Sequence, residues 1–227
     1  VTESFARAVG KLSHSPTYSG HKPYEAIRDT ADIGWLHLSI DVPADTIMRE
    51  LEQAKHLFVP HRDGYESQGW NSFCLHGRGL HETREDSHYT DSVKMDWVPQ
   101  AQELMPETIE WLKTQWPHGS YQRVRMMELE PGGWIGVHKD TDIKQLGPIN
   151  IAITQPADCE FYSEGLGVVP FRPATAMWMD VSRRHAVINR SSQPRWHMII
   201  HQTVSADWQR LVELSYANLE KPLEYQS

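Results

Sequence analysis

A mainly β fold, a jelly roll with α-helices packed on the outside of one sheet, is what this chain of 227 residues predicts. From residue 121 onward the sequence breaks into short extended runs, at 121–129, 134–138, 149–155, 159–163, 167–171, 174–179, 185–189 and 195–203, several of them separated by turn signals. That is the strand count of two antiparallel sheets facing each other over one core. Helical spacing of apolar residues is confined to the segments before and after this block, which places helices around a barrel rather than between its strands. With 39% hydrophobic residues the chain can bury one sizeable core, and single β domains commonly reach this length. The organisation predicted is one domain, with a helical and loop-rich part over 1–120, the jelly roll over 121–203 and a closing helix over 204–227.

Taken in order, the elements are justified as follows. Phe5, Val9 and Leu12 stand at helical spacing, so residues 2–12 read as a short amphipathic helix or an unstructured terminus. Residues 14–23, rich in Ser, His, Pro, Tyr and Gly, read as a loop. W-L-H-L-S-I at 35–40 puts Leu36, Leu38 and Ile40 on one side, as a half-buried strand does. Asp41 is placed to cap a helix that carries Ile47, Leu51, Ala54 and Phe58 toward the core and stops before Pro60. The stretch 61–69 is polar and turn-rich, and W-N-S-F-C-L-H-G at 70–77 reads as a strand. Residues 78–91 mix charge with His81, His88 and Tyr89 without periodicity; loops of this length in a compact domain are either functional lids and binding loops or surface disorder. Pro106 near the start and Pro117 with Gly119 beyond the end bound a helix over 105–116. After residue 203, Trp208, Leu211, Val212 and Leu219 form the apolar side of a closing helix or of a dimer contact.

Composition excludes several classes. A net charge of −8 argues against a general phosphate-binding surface, so nucleic acid is not an expected partner. Two cysteines, Cys74 and Cys159, are too few for a disulfide framework and read as small buried apolar residues. No apolar run reaches the length of a membrane span and no signal pattern opens the chain, so no membrane is expected and the cytoplasm is the expected compartment.

The chemistry concentrates between Pro131 and Arg195. P-G-G-W-I-G-V-H-K-D opens this stretch and R-R-H-A-V-I-N-R-S-S-Q-P-R closes it. His138 and Asp140 lie two apart, so on an extended segment they leave from one face and can converge on one ion, with His185 arriving from a distant strand. Two imidazoles and a carboxylate on one face of a metal, with the other face open, is the geometry of a non-haem Fe(II) oxygenase. H-x-D alone is weak evidence in a chain with 13 histidines, and a lone histidine on an apolar strand is usually a core residue. The combination is stronger, because the triplet follows a Gly-rich turn, the second histidine opens an apolar run, and Arg195 follows ten positions later at a strand start. A guanidinium is a natural clamp for a carboxylate, since its paired donors match both oxygens and its charge persists at working pH. Arg123 and Arg125, alternating with apolar residues on the first barrel strand, are further candidates, here for a substrate carboxylate, against inter-strand or solvent ion pairs as the alternative.

The ordered set R-V-R-M-M-E-L-E-P-G-G-W-I-G-V-H-K-D and M-D-V-S-R-R-H-A-V-I-N-R-S-S-Q-P-R-W-H resembles the aspartyl/asparaginyl β-hydroxylase family, including its bacterial proline-hydroxylase-like branch, over residues 121–203. The resemblance implies a double-stranded β-helix and an Fe(II)- and 2-oxoglutarate-dependent dioxygenase that uses O2 to hydroxylate a free amino acid or an amino-acid side chain in a peptide. It places His138, Asp140 and His185 on the iron positions and Arg195 on the position that holds the distal carboxylate of 2-oxoglutarate. One departure stands out. Where members carry Arg-x-His or Arg-Leu-His after the first metal strand, this chain reads G-P-I-N-I-A-I, so Asn150 replaces the histidine and is expected to help hold cosubstrate or substrate.

Two other classes fit parts of the pattern. A cupin-type metal enzyme that does without 2-oxoglutarate needs no buried cation opposite the metal, and Arg195 speaks against it. A non-catalytic jelly-roll binding protein has no use for an open three-ligand constellation, since closed structural metal sites usually have four protein ligands.

Overall fold

The computed structural model describes residues 22–30, 33–61, 66–82, 95–142 and 147–218. The expected helix over 2–12, the centre of the 61–69 turn, most of the 78–91 loop and Leu219 lie outside these residues. Five α-helices are described: α1 (Tyr24–Thr30), α2 (Ala44–Ala54), α3 (Pro99–Leu104), α4 (Pro106–Thr114) and α5 (Ala206–Ala217). Eleven strands accompany them: β1 (Trp35–His37), β2 (Val59–Pro60), β3 (Ser67–Gly77), β4 (Asp96–Trp97), β5 (Tyr121–His138), β6 (Ile149–Ala152), β7 (Cys159–Ser163), β8 (Gly167–Val168), β9 (Thr175–Met179), β10 (His185–Asn189) and β11 (Arg195–Gln202). The fold is mainly β, as the short extended runs predict.

The strands form one curled sheet in the order β1-β9-β6-β11-β5-β10-β7-β8, with antiparallel pairing along this path and with β3 laid along β5. The expected two faces are continuous through β5. Its first half pairs with β11 from Tyr121 to Leu129, and its last residues pair with β10 from Trp134 to His138. The P-G-G sequence was expected to separate two strands; it instead lies inside this single strand of 18 residues. Gly132 takes φ of 74°, a conformation that suits glycine, and a Cβ on Gly133 would stand 2.9 Å from the carbonyl oxygens of Gln68 and Glu130. Two glycines thus let β5 bend across the barrel while β3 stays in contact with it.

Strand alternation sorts the side chains. Along β11, Trp196, Met198 and Ile200 join the cluster packed under the helices, which also holds Leu36, Ile47, Leu51, Leu112, Met126, Trp208 and Val212. Arg195, His197, Ile199 and His201 occupy the intervening positions and line a cavity inside the barrel. A second cluster, with Leu129, Ile135, Phe161, Met177, Met179 and Val187, fills the rest of the interior. Alternation along β11 thus divides most of its side chains between the helix layer and the cavity, with Ile200 touching both.

Two local expectations are corrected. Asp41 does not cap α2, whose preceding residue is Pro43 with no side-chain cap, and the helix closes at Ala54 through a 3-10 turn over Lys55–Leu57. The N-terminus of α4 is capped from another element: the buried Glu50 carboxylate of α2 accepts from the Glu107 N–H at 2.8 Å, the Thr108 N–H at 2.9 Å and the Thr108 hydroxyl at 2.6 Å. A carboxylate there answers both the unpaired amides and the positive helix end. The closing helix α5 is anchored by Ser205, whose hydroxyl accepts from the Trp208 N–H. No helix among the described residues is long and apolar enough to cross a membrane.

Candidate metal centre and the cavity around it

The antiparallel register of β5 and β10 sets His185 directly opposite His138, so one imidazole leaves the end of one strand beside another at the start of its neighbour. Asp140 lies just past the end of β5 rather than on it, and its N–H donates to the Val181 carbonyl at 3.1 Å, which fixes the turn. Its Oδ1 stands 3.7 Å from His138 Nε2 and its Oδ2 stands 4.0 Å from His185 Nε2. One ligand atom from each residue falls within 4.8 Å of the others. The three side chains predicted to converge do converge.

Both imidazoles are presented in the form a metal needs. His138 Nδ1 lies 2.8 Å from the Gly136 carbonyl and His185 Nδ1 lies 2.8 Å from the Arg183 carbonyl. A carbonyl only accepts, so each Nδ1 carries the proton and each Nε2 keeps its lone pair toward the centre. Burial, with His138 alongside, holds the His185 imidazole below its ordinary pKa and so in the neutral, ligating form. The Phe161 ring stacks on His185 at 5.2 Å between centroids, walling that side of the centre with apolar surface. Asp140 keeps 42% of its side chain exposed, which marks the open side.

Arg195 lies deeper, 2% exposed, with its guanidinium 4.8 Å above the Phe171 ring. Its Nε donates to Gln155 Oε1 at 2.8 Å and its Nη1 to His197 Nδ1 at 3.1 Å, while its Nη2 is buried without a hydrogen-bond partner. Burial pulls its pKa down from the usual arginine range. The same burial, with Arg195 and Arg125 close by, holds the His197 imidazole well below its usual range, so it accepts from Arg195 as a neutral ring. A desolvated cation with an unsatisfied donor is a site prepared for an anion.

Triad and guanidinium line one cavity of about 610 Å3. Asn150 is buried on its wall, and Arg125 lines it with His61 and His201, while Arg123 is buried but stands outside the lining. Sequence reasoning gave a site role to none of His61, Gln155, His197 and His201. The strand alternation that puts His197 and His201 on the face of Arg195 was the available signal; nothing local marks His61.

A family model described as Aspartyl/Asparaginyl beta-hydroxylase matches residues 36–203. The chain belongs to the aspartyl/asparaginyl β-hydroxylase family. Membership makes it an enzyme of the hydroxylase class. The family match begins at the strand pair β1 and β9 and ends just past β11, so it takes in every residue of the centre described above. No curated protein matches the sequence. Among solved structures, the chain is similar to an oxidoreductase of the 2OG-Fe(II) oxygenase family from Burkholderia pseudomallei, at 14% identity over 84% of this chain and 93% of that one, with a TM-score of 0.48. It is also similar to a Pseudomonas putida prolyl-4-hydroxylase, at 12% identity over 80% and 97% of the two chains, with a TM-score of 0.43.

Proposed function

We propose that this β-hydroxylase family member hydroxylates a C–H bond of a free amino acid or of an amino-acid side chain in a peptide, with His138, Asp140 and His185 holding Fe(II) and Arg195 clamping 2-oxoglutarate. The observation that carries the reading is Arg195. A buried guanidinium whose described partners are the neutral Gln155 and His197 has a free donor and a full charge to offer a carboxylate. A cupin that works on substrate alone has no need of such a group.

The donor set fits the metal and the cavity fits the cosubstrate. Two neutral imidazoles and a carboxylate leave the rest of the coordination sphere open for a 2-oxo acid and O2. Bound there, the iron with 2-oxoglutarate and O2 supplies the oxidation of an unactivated C–H bond. The chain's own residues bind, orient and shield. Gln155 and His197 hold the Arg195 guanidinium in one plane, Phe161 and Phe171 keep water from the ligand side, and Asn150 offers an amide donor and acceptor to whichever ligand lies along β6. Arg125, on the same cavity wall, is the substrate-side cation in this reading.

The test is anaerobic addition of Fe(II) and 2-oxoglutarate, followed by visible absorption, and then admission of O2 with a panel of amino acids and peptides while succinate is measured. The expected result is a charge-transfer band that needs both additions and is missing from His185→Ala. Tight Fe(II) binding with no band and no heat on adding 2-oxoglutarate would return the chain to the cupin class.

A further inference from the structure

Five residues, Asp180 to Arg184, connect β9 to β10, and two of the three residues of the metal centre are held from this connection. The Val181 carbonyl accepts from the Asp140 N–H at 3.1 Å, and the Arg183 carbonyl accepts from His185 Nδ1 at 2.8 Å. His138 is served from elsewhere, since its Nδ1 donates to the Gly136 carbonyl of its own strand. Asp140 lies past the end of β5 and His185 opens β10, so this pair depends on the connection for a common orientation. Residues 181–183 belong to no strand. The direction of their carbonyls must therefore be set by something other than a ladder.

The Asp180 side chain, 1% exposed, closes on the turn that follows it. Its Oδ1 accepts from the Ser182 N–H at 3.1 Å and from the Ser182 hydroxyl at 2.5 Å, and its Oδ2 accepts from Arg183 Nε at 3.1 Å. The Ser182 N–H and the Val181 carbonyl belong to one planar trans peptide and point in opposite directions. Gripping that N–H from one side therefore aims the Val181 carbonyl the other way, toward Asp140. The root of the clasp is fixed as well, because the Asp180 N–H donates to the Gly34 carbonyl at 2.8 Å and the residue bridges to Gly147. At the far end, Arg183 Nη1 donates to the Glu164 carbonyl at 3.3 Å and the Glu164 N–H donates to the Arg184 carbonyl at 2.8 Å. A buried carboxylate needs donors to offset its desolvation, and the donors this one takes are those that shape the turn.

Resting on the reading of His138, Asp140 and His185 as the iron ligands, we propose that Asp180 is a positioning residue of the metal centre, whose carboxylate sets the 181–183 turn so that the Val181 and Arg183 carbonyls aim two ligands at one ion. It acts through those carbonyls and touches neither the metal nor the substrate. Ligands must be held to within about 10–20° of their working direction, because a ring turned further sends its lone pair past the ion. A carboxylate that served only to pair Arg183 would need neither burial nor a grip on Ser182, the residue between the two carbonyls. The assignment is selective in what it predicts. Loss of the clasp disturbs Asp140 and His185 and spares His138.

The experiment is titration of the metal-free protein with Co(II), followed by calorimetry and by proton NMR. The unpaired electrons of Co(II) move the ring N–H protons of ligand histidines clear of the other signals, so the parent should show two exchangeable signals, one for each imidazole. That of His185 is assigned by its proximity to the stacked Phe161 ring. Asp180→Ala should weaken Co(II) binding on the order of a hundred-fold, and Asp180→Asn, whose oxygen still accepts from Ser182 but whose amide has no acceptor for Arg183, by about ten-fold. In both, the His185 signal should shift or exchange faster with water while the His138 signal keeps its place. Circular dichroism of the chelated proteins certifies the fold, and Asp180→Asn decides if Asp180→Ala does not fold. A folded Asp180→Asn that binds Co(II) like the parent, or in which both signals move alike, overturns the assignment and leaves the ligand reading in place. Failure of both variants to fold makes Asp180 a determinant of the fold rather than of the centre, and overturns it too. A parent that takes up no Co(II), or takes it up without shifted imidazole signals, overturns the ligand reading first and this one with it.

Discussion

At the scale of single residues, Arg195 separates cosubstrate use from its rivals. Removing one partner of a desolvated charge pair costs on the order of 3–5 kcal/mol, a few hundred- to several thousand-fold in affinity. Arg195→Ala should therefore raise the dissociation constant for 2-oxoglutarate by that factor and leave Fe(II) binding nearly intact, as calorimetry on the Fe(II)-loaded variant will show. Arg195→Lys should regain only part, because a point charge cannot make the paired bonds. His138→Ala and His185→Ala should instead lose Fe(II) itself, measured by metal content after gel filtration, since each removes one ligand of three. The convergence of His138, Asp140 and His185 was legible in the sequence because the H-x-D pair follows a Gly-rich turn and the second histidine opens another apolar run, with Arg195 at the next strand start. Gln155 and His61 were not, because their roles depend on which strand lies beside which. Gln155 reaches Arg195 across 40 residues of sequence and His61 reaches Arg125 across 64. No local pattern encodes such a pair.

At the scale of elements, α4 is tied to α2 through Glu50. The sequence offers Pro106 as a helix start and Pro117 with Gly119 as a stop, and those boundary signals are met. The cap is invisible locally, because the residue before the helix is Met105 and the carboxylate comes from 57 residues upstream. Glu50→Ala would leave the partly buried Glu107 amide and the buried Thr108 amide and hydroxyl unanswered. The expected loss is about 1–3 kcal/mol, seen as a lower denaturation midpoint with unchanged slope. The paired control Arg49→Ala breaks an exposed ion pair to Glu107 one position away, and should shift the midpoint by less than about 1 kcal/mol. A similar contrast explains P-G-G. Read alone, it is a turn; in the fold, the close approach of β3 and the continuing ladder on either side turn it into a bend within β5.

For the whole molecule, the mainly β class and the helix layer were legible, because strand alternation and helical spacing persist over many residues and errors at single positions do not alter them. The distribution of charge was not, since a net negative composition says nothing of which charges a barrel turns inward. The buried histidines have a consequence for acid stability. His37 is held at about 4 by burial and by Arg172; its Nε2 lies 3.1 Å from the Pro170 carbonyl, and its Nδ1 is buried with no acceptor to receive a second proton. Burial also lowers His76 and His197. Each is neutral in the folded protein where the unfolded chain, with an ordinary value near 6.5, takes up a proton. Below that pH the unfolded state therefore binds more protons, and stability must fall as pH falls, by about 1.4 kcal/mol per pH unit for each histidine fully withheld from protonation. The contribution is intact above about pH 6.5 and is lost progressively on the way down, for His37 as far as about pH 4. Melting temperatures recorded with a chelator present, so that release of metal from the triad does not enter, should be flat from about pH 7.5 to 6.5 and then drop. His37→Gln keeps a donor for the Pro170 carbonyl and removes the titration, so its curve should fall less steeply over the same interval. A His37→Gln curve parallel to that of the parent would show that His37 takes up its proton in the folded state as readily as in the unfolded chain, and that the acid lability arises elsewhere in the molecule.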